Sequence, residues 1–175
     1  MLVEKLDQTI RDIPDFPKPG IIFKDITPIL KDPQLCTAIV DEFVQRLGDT
    51  EIDVVAGIES RGFLFGLMLA NRLSVQFVPI RKQGKLPYDT ICESYKLEYG
   101  QATNEVHTDA FEPGAKVLIH DDLLATGGTV VAASKLIEKA GAQVAAFTFV
   151  ISLEFLQAQG RLTRFSENVI SLVQY

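Results

Sequence analysis

Sulfur and imidazole are scarce in this chain of 175 residues, which has two cysteines and two histidines. Cys36 and Cys92 are too few for a disulfide framework, and neither they nor the widely separated His107 and His120 show metal-ligand spacing. A structural zinc site is therefore not expected. Long apolar runs are missing as well: no stretch approaches the roughly 18 uninterrupted residues of a membrane helix. The opening residues, MLVEKLDQTIRDIPDFP, carry charge where a signal peptide needs an apolar core, so the cytoplasm is the expected location. Basic residues are outnumbered, 17 Lys and Arg against 23 Asp and Glu, for a net charge of −6. That balance argues against nonspecific nucleic-acid binding, which depends on neutralising backbone phosphates. It leaves room for a small polyanion, because Arg61, Arg81, Lys82 and Lys85 concentrate positive charge locally. Nucleotide fingerprints are also lacking. There is no G-x-G-x-x-G, and the nearest approach to a P-loop, Gly57 to Gly62, is followed by Phe63 where Lys is required.

What is present is concentrated between Val117 and Thr129, VLIHDDLLATGGT. Val117, Leu118 and Ile119 read as a buried parallel strand. Asp121 and Asp122 place two carboxylates at its C-terminal end. Ala125, Thr126, Gly127, Gly128 and Thr129 then lead into a helical pattern at Val130, Ala133, Ile137 and Ala140. Amides freed by the two glycines, with the two threonine hydroxyls, can wrap a phosphate at a helix N-terminus. Two acids beside a phosphate cradle suit a phosphorylated sugar, whose vicinal hydroxyls donate to carboxylates. As a plain strand–turn–helix connection the segment would need neither the paired acids nor the hydroxyls. A second strand, residues 53–58, delivers Glu59, Ser60, Arg61 and Gly62 to another strand-to-helix corner, where Arg61 and free amides make an anion site.

Around these motifs the pattern is α/β and undivided. Residues 2–12 have loosely helical spacing, and 13–20 are proline-punctuated and cannot form regular helix. Asp32 and Pro33 predict an N-cap and first turn, with Leu35, Ile39, Phe43 and Leu47 as the apolar stripe and Gly48 at the end. A helix is expected from about 63 to 72, with further strands at 75–80, 143–152 and 169–173. Strands alternating with helices imply a mostly parallel, right-handed sheet flanked by helices. Residues 82–105 are polar, with weaker strand signals at 91–97; a long excursion of this kind is usually functional or mobile. The N-terminal segment and the tail fall outside the repeat and are expected to cap the site.

The signature between Val117 and Thr129 closely resembles that of the type I phosphoribosyltransferases, which use phosphoribosyl pyrophosphate (PRPP). Three further segments narrow the likeness to the adenine phosphoribosyltransferase family: IPDFPKPGIIFKDITPIL at 13–30, IRKQGKL at 80–86 and SYKLEYGQATNEVHTDA at 94–110. Together with ESRGF at 59–63 they span almost the whole chain. The resemblance implies a type I phosphoribosyltransferase fold over residues 1–175, a small hood from about 1–30 plus part of the tail, and a flexible loop at about 82–105. It implies a Mg²⁺-dependent pentosyltransferase of purine salvage that converts adenine and PRPP to AMP and pyrophosphate. It also implies a homodimer.

Residue by residue, the resemblance gives Phe23 the place of an aromatic that stacks on adenine, with backbone groups of Ile22 and Lys24 reading the base edge. Asp121 and Asp122 would hold the ribose hydroxyls, reaching Mg²⁺ through water rather than as dedicated ligands. Residues Ala125 to Thr129 would hold the 5′-phosphate. Glu59, Ser60 and Arg61 would hold pyrophosphate, with a cis peptide between Glu59 and Ser60, and Arg81 and Lys85 would reach it from the neighbouring subunit. Glu105 matches a loop glutamate that acts on the purine nitrogen by acid–base catalysis once the loop closes; Arg61 would stabilise the departing charge. Three positions depart from the family pattern. His120 replaces an aliphatic residue and is read as supporting the site or partly exposed, Asn104 replaces an apolar residue before Glu105, and Lys24 replaces a frequent Arg. Two alternatives stay open: a phosphoribosyltransferase for xanthine, hypoxanthine or orotate, and a non-enzymatic PRPP sensor on the same fold.

Overall fold

The structure is a computed structural model, and it describes residues 1–97 and 100–175. Residues 98–99, which belong both to the expected flexible loop and to the third resemblance segment, lie outside the described residues. The chain opens with α1 (Leu2–Thr9) and a hairpin of β1 (Arg11–Pro14) and β2 (Ile22–Asp25), followed by a 3₁₀ turn at Thr27–Lys31. Then come α2 (Pro33–Leu47), β3 (Val54–Ile58), α3 (Gly62–Leu73) and β4 (Gln76–Lys82). A second hairpin of β5 (Thr90–Lys96) and β6 (Gln101–His107) precedes β7 (Lys116–Leu124), α4 (Gly128–Lys139) and β8 (Gln143–Ser152). A short helix α5 (Gln159–Leu162) and β9 (Val169–Gln174) complete the described chain.

Among the described residues seven strands form the main sheet, in the order β5-β6-β4-β3-β7-β8-β9. The run from β4 to β9 is parallel, and β6 and β5 add an antiparallel edge. Both faces are buried, which explains the continuous apolar runs. In β3, Val54, Ala56 and Ile58 enter the core shared with α4, while Val55 enters the core shared with α2 and α3; in β7, Val117 and Ile119 oppose Leu118 in the same way. The α2 start follows the expected local chemistry: Asp32 Oδ1 accepts the Leu35 N–H at 3.0 Å, Pro33 opens the helix, and Gly48 leaves it at φ +54°.

Chain order reverses beside β3, since β4 lies on one side of it and β7 on the other. A crevice opens at such a switch point, outside the carboxyl ends of the strands. Two glycines let the start of α3 press into this corner. A Cβ on Gly57 would lie 2.8 Å from the Gly62 carbonyl oxygen, and one on Gly62 would lie 2.7 Å from the His120 carbonyl oxygen.

Two expectations change. Residues 82–105 are largely strand: β5 and β6 pair across seven positions, from Thr90 opposite His107 to Lys96 opposite Gln101, and β6 continues onto β4. Their polar composition reflects a sheet edge with one wet face, and the strand signals at 91–97 fall on β5. The tail is the other edge strand, β9, paired in parallel with β8. It still meets the N-terminal unit, sharing a core with Leu6 and Ile10 of that unit through Ile170, Leu172 and Val173, and beyond it the Tyr175 hydroxyl donates to Asp7 Oδ1 at 2.6 Å and Lys24 Nζ sits 3.6 Å above the ring.

Candidate active site

A cleft of about 340 Å³ at the switch point is lined by Glu59, Ser60 and Arg61 after β3, Lys82 at the end of β4, Tyr95 of β5, Asp121, Asp122 and Leu123 of β7, and Thr129 of α4. β7 runs on through both acids before the loop begins. The two carboxylates therefore stand on a rigid strand. The backbone N–H of Asp122 donates to Asp121 Oδ1 at 2.9 Å. Burial, compounded by the charge of Asp122, pushes the Asp121 carboxyl well above the ordinary carboxylate range.

Arg61 ties this pair to the rest of the cleft. Its Nε donates to Asp122 Oδ2 in a short charge-assisted bond. Partial burial opposes the guanidinium charge, but the bond to Asp122 and the charges of Asp121 and Asp25 outweigh it and hold Arg61 more firmly protonated than usual. The same guanidinium lies 5.4 Å from the centre of the Phe23 ring, within cation–π range. Phe23 also meets Phe16 edge to face at 5.3 Å. Thus one arginine bridges an acid pair on β7 and an exposed-edge aromatic on the N-terminal hairpin. Asp25, at the end of that hairpin, is only 9% exposed. Burial would raise its carboxyl, but the Thr27 amide and hydroxyl, with Arg11 and Arg61 nearby, hold it below the usual range.

The Glu59–Ser60 peptide is cis, as the resemblance implied. Glu59 Oε2 accepts the Lys82 amide at 2.9 Å and Arg81 Nε at 3.2 Å, which fixes the β3 corner to β4. Burial raises the Glu59 carboxyl, yet these donors more than reverse that and keep it ionised. On the far side, Gly127 sits at φ +80° and precedes α4, whose first N–H groups have no partner within the helix. Among the described residues no group of three or more His, Cys, Asp or Glu side chains could hold a metal. The two carboxylates are hard oxygen donors of the class Mg²⁺ prefers, and too few to hold it without further oxygens from substrate and water. A larger hollow of about 610 Å³ between α1 and β9 has one cation, Arg46, already bound to Glu42 and to the Ser171 carbonyl.

The phosphoribosyl transferase domain family matches residues 26–165. An adenine phosphoribosyltransferase of Cytophaga hutchinsonii is 53% identical over 175 residues, covering 100% of this chain and 97% of that protein. The chain belongs to the adenine phosphoribosyltransferase family. Its fold agrees with the crystal structure of adenine phosphoribosyltransferase from Thermoanaerobacter pseudethanolicus, at a TM-score of 0.94 and 46% identity over 99% of both chains. The Saccharomyces cerevisiae enzyme, solved with an imino-altritol bisphosphate and adenine, gives 0.91 at 38% identity over 98% of each chain.

Of the expected positions, Glu59, Ser60, Arg61, Asp121, Asp122 and Thr129 line one cleft, with Phe23 beside Arg61, whereas Ala125, Thr126, Gly127 and Gly128 adjoin it without lining it. Lys24 spends its ammonium on Asp12, 2.6 Å away, and on the Tyr175 ring, which leaves only its backbone for a base. Arg81 and Lys85 do not line this chain's own cleft. Arg81 binds Glu59 and donates Nη1 to the Lys85 carbonyl at 3.3 Å, so Lys82 is the cleft-lining cation of that segment.

Two further placements are corrected. Glu105 is not an exposed loop residue: it lies on β6, opposite Arg81 and Cys92, and is 3% exposed. Its Oε1 accepts the Lys85 and Leu86 amides at 2.9 and 2.7 Å, and its Oε2 accepts the Thr90 hydroxyl at 3.5 Å. Burial raises this carboxyl, but the amides of the turn after β4 bring it below the usual range. It is a turn anchor. His120 is not partly exposed either, with none of its surface open to solvent. Its Nδ1 meets Thr148 Oγ1 at 3.0 Å, the rings of Phe43 and Phe65 flank it, and Nε2 has no partner. Sequence reasoning missed Tyr95, whose only signal was an aromatic within a weak strand pattern. It also missed Lys82 as a lining residue, although the basic run around it was noted.

Proposed function

We propose that this chain transfers the ribose 5-phosphate unit of PRPP to adenine, forming AMP and releasing pyrophosphate. The observation that carries this reading is Arg61, which touches Asp122 of the sugar-binding pair and the Phe23 ring at once. That link supports reading the β7 acids and the Phe23 hairpin as donor and acceptor halves of one site. The relatives' shared name and the yeast enzyme's bound adenine support the choice of base.

In this reading the bond from C1′ to pyrophosphate breaks with positive charge developing on the sugar, and a purine nitrogen bonds to C1′ from the opposite face. Asp121 and Asp122 accept the ribose hydroxyls, and loop 125–129 receives the 5′-phosphate; binding at that remote group orients C1′. Glu59, Ser60, Arg61 and Lys82 form the pyrophosphate end, where cationic groups stabilise charge on the leaving group. Phe23 stacks on adenine, and main-chain groups of Ile22 and Lys24 distinguish it from a 6-oxopurine at position 6. Asp121 and Asp122, together with oxygens of substrate and water, would hold Mg²⁺, which would supply neutralisation of the charge on the pyrophosphate. Glu105 receives no acid–base role, because its carboxylate is buried and committed to the turn.

The proposal includes closure of the N-terminal hood and the β5–β6 hairpin over the cleft, excluding water that would hydrolyse the donor. It also includes a homodimer acting in the cytoplasm. Leu64 and Leu67, 41% and 51% exposed on α3 beside the cleft, offer apolar surface that a second copy would cover. Sedimentation of the purified chain checks the dimer. The function is tested by pyrophosphate release from PRPP and Mg²⁺ with adenine, hypoxanthine, guanine, xanthine and orotate offered separately. Release with adenine alone, with AMP formed, is expected. Release with another base overturns the Phe23 argument, and PRPP binding without release from any base favours a sensor.

A further inference from the structure

The carbonyl of Thr126 has a partner that no substrate role accounts for: Arg161 Nη1 of α5 donates to it at 2.6 Å. The same segment supports the loop a second time, since a Cβ added to Gly127 would lie 3.2 Å from the Ala158 Cβ. A trans peptide is planar, and its C=O and N–H point in opposite directions. With the Thr126 oxygen turned to Arg161, the N–H of Gly127 is turned away from α5. Gly127 at φ +80° then carries the chain into α4, whose leading amides are free and whose Thr129 lines the cleft. Successive N–H groups across such a left-handed residue form a concave anion nest.

We infer that Arg161 is a positioning residue of the phosphate-binding loop, its guanidinium fixing the Thr126–Gly127 peptide so that the Gly127 N–H joins the amides that receive the 5′-phosphate. The cation behind the carbonyl also polarises that peptide and strengthens its N–H as a donor. Arg161 touches no substrate; it acts through one peptide plane. Lysine lacks the fork that holds a carbonyl from a fixed direction, so R161K restores the charge without the geometry. The inference rests on reading loop 125–129 as the phosphate cradle, and the experiment separates the two.

Steady-state kinetics with PRPP and adenine, and calorimetric titration with ribose 5-phosphate, are measured for wild type, R161A, R161K and T129V. Loss of one charge-assisted bond on an exposed residue is expected to raise both the KM for PRPP and the Kd for ribose 5-phosphate about tenfold in R161A. R161K is expected to fall between R161A and wild type. The KM for adenine, kcat and the melting temperature should stay close to wild type, a split that general loosening of the fold would not produce. Unchanged ribose 5-phosphate affinity in R161A overturns the inference, as does a parallel rise in both KM values with a fall in kcat. If T129V loses ribose 5-phosphate affinity while R161A keeps it, only the role of Arg161 fails. If neither variant loses it, the cradle reading fails as well. Should R161A not fold, R161Q, with a shorter uncharged donor, carries the same comparison.

Discussion

Replacing His120 and Thr148 together with valine should flatten the acid side of the stability curve. The imidazole has none of its surface exposed, one polar contact to Thr148 at 3.0 Å, and a second nitrogen without a partner beside Phe43 and Phe65. Burial pushes its pKa down from 6.5 to about 3, so the folded protein holds it neutral throughout the working range. In the unfolded chain the same group protonates at its ordinary value. A folded pKa below the unfolded one gives stability that is complete above about pH 6.5 and is lost progressively as the pH falls toward the folded value. Between about pH 7.5 and pH 5.5 the loss from this single group is about 1.4 kcal/mol. The assay is urea unfolding of wild type and H120V/T148V at those two pH values. Both proteins share every other titrating group, so the difference between their slopes isolates His120. The expected result is a wild-type loss exceeding that of the variant by roughly 1 to 1.5 kcal/mol. Equal losses would mean that His120 titrates normally in the folded state, and the argument from burial would be wrong.

Phe23→Ala should raise the KM for adenine about tenfold or more, because aromatic stacking on a base is lost, while the KM for PRPP holds; steady-state kinetics with each substrate varied will show whether the split occurs. Asp121→Asn should abolish most turnover yet raise the melting temperature of the ligand-free chain, since it removes a buried carboxylate set against Asp122 and keeps an oxygen for the Asp122 amide. A drop in melting temperature would refute that account of the pair. Glu105→Gln should destabilise the fold by about 1 to 3 kcal/mol, because the Lys85 and Leu86 amides exchange a charged acceptor for a neutral one. The pH dependence of kcat should not change in this variant, and a lost limb of that profile would return Glu105 to the chemistry.

The half of the candidate site on β7 and the loop after it was legible because its parts are contiguous. A single run from Val117 to Thr129 contains the strand, the acids and the loop, and each follows from local chemistry: an apolar strand, then carboxylates, then small residues that free amides. The start of α2 was legible for the same reason, as an N-cap involves only Asp32 and the next turn. Glu105 was misplaced because its environment comes from pairing. Only the register that sets it opposite Arg81 and Cys92 turns its carboxylate toward the amides of Lys85 and Leu86. Of the two readings of His120, partial exposure failed, because a titratable residue next to two acids looks like part of a wet site. Its burial is imposed by Thr148 on β8 and by aromatic rings on α2 and α3, none of them near it in the chain.

His120 and Asp121 are adjacent on β7, so strand alternation sends one side chain toward Phe43 and Phe65 of the helical core and leaves the other in the cleft. The Gly62 contact with the His120 carbonyl locks that backbone from the α3 side, and Arg61, one residue earlier, locks Asp122. The acid pair is thus held by the rigid packing of β3, α3 and β7, before any ligand arrives. The groups at the other end, loop 125–129 and the N-terminal hairpin, are held by a few side chains that reach in from other elements, Arg161 and Ala158 against the loop and Arg61 and Tyr175 against the hairpin. Strain or substitution elsewhere in the chain should therefore weaken phosphate and base recognition before it disturbs the carboxylates, and the order in which binding of ribose 5-phosphate, adenine and pyrophosphate fails on mild denaturant addition would test that hierarchy.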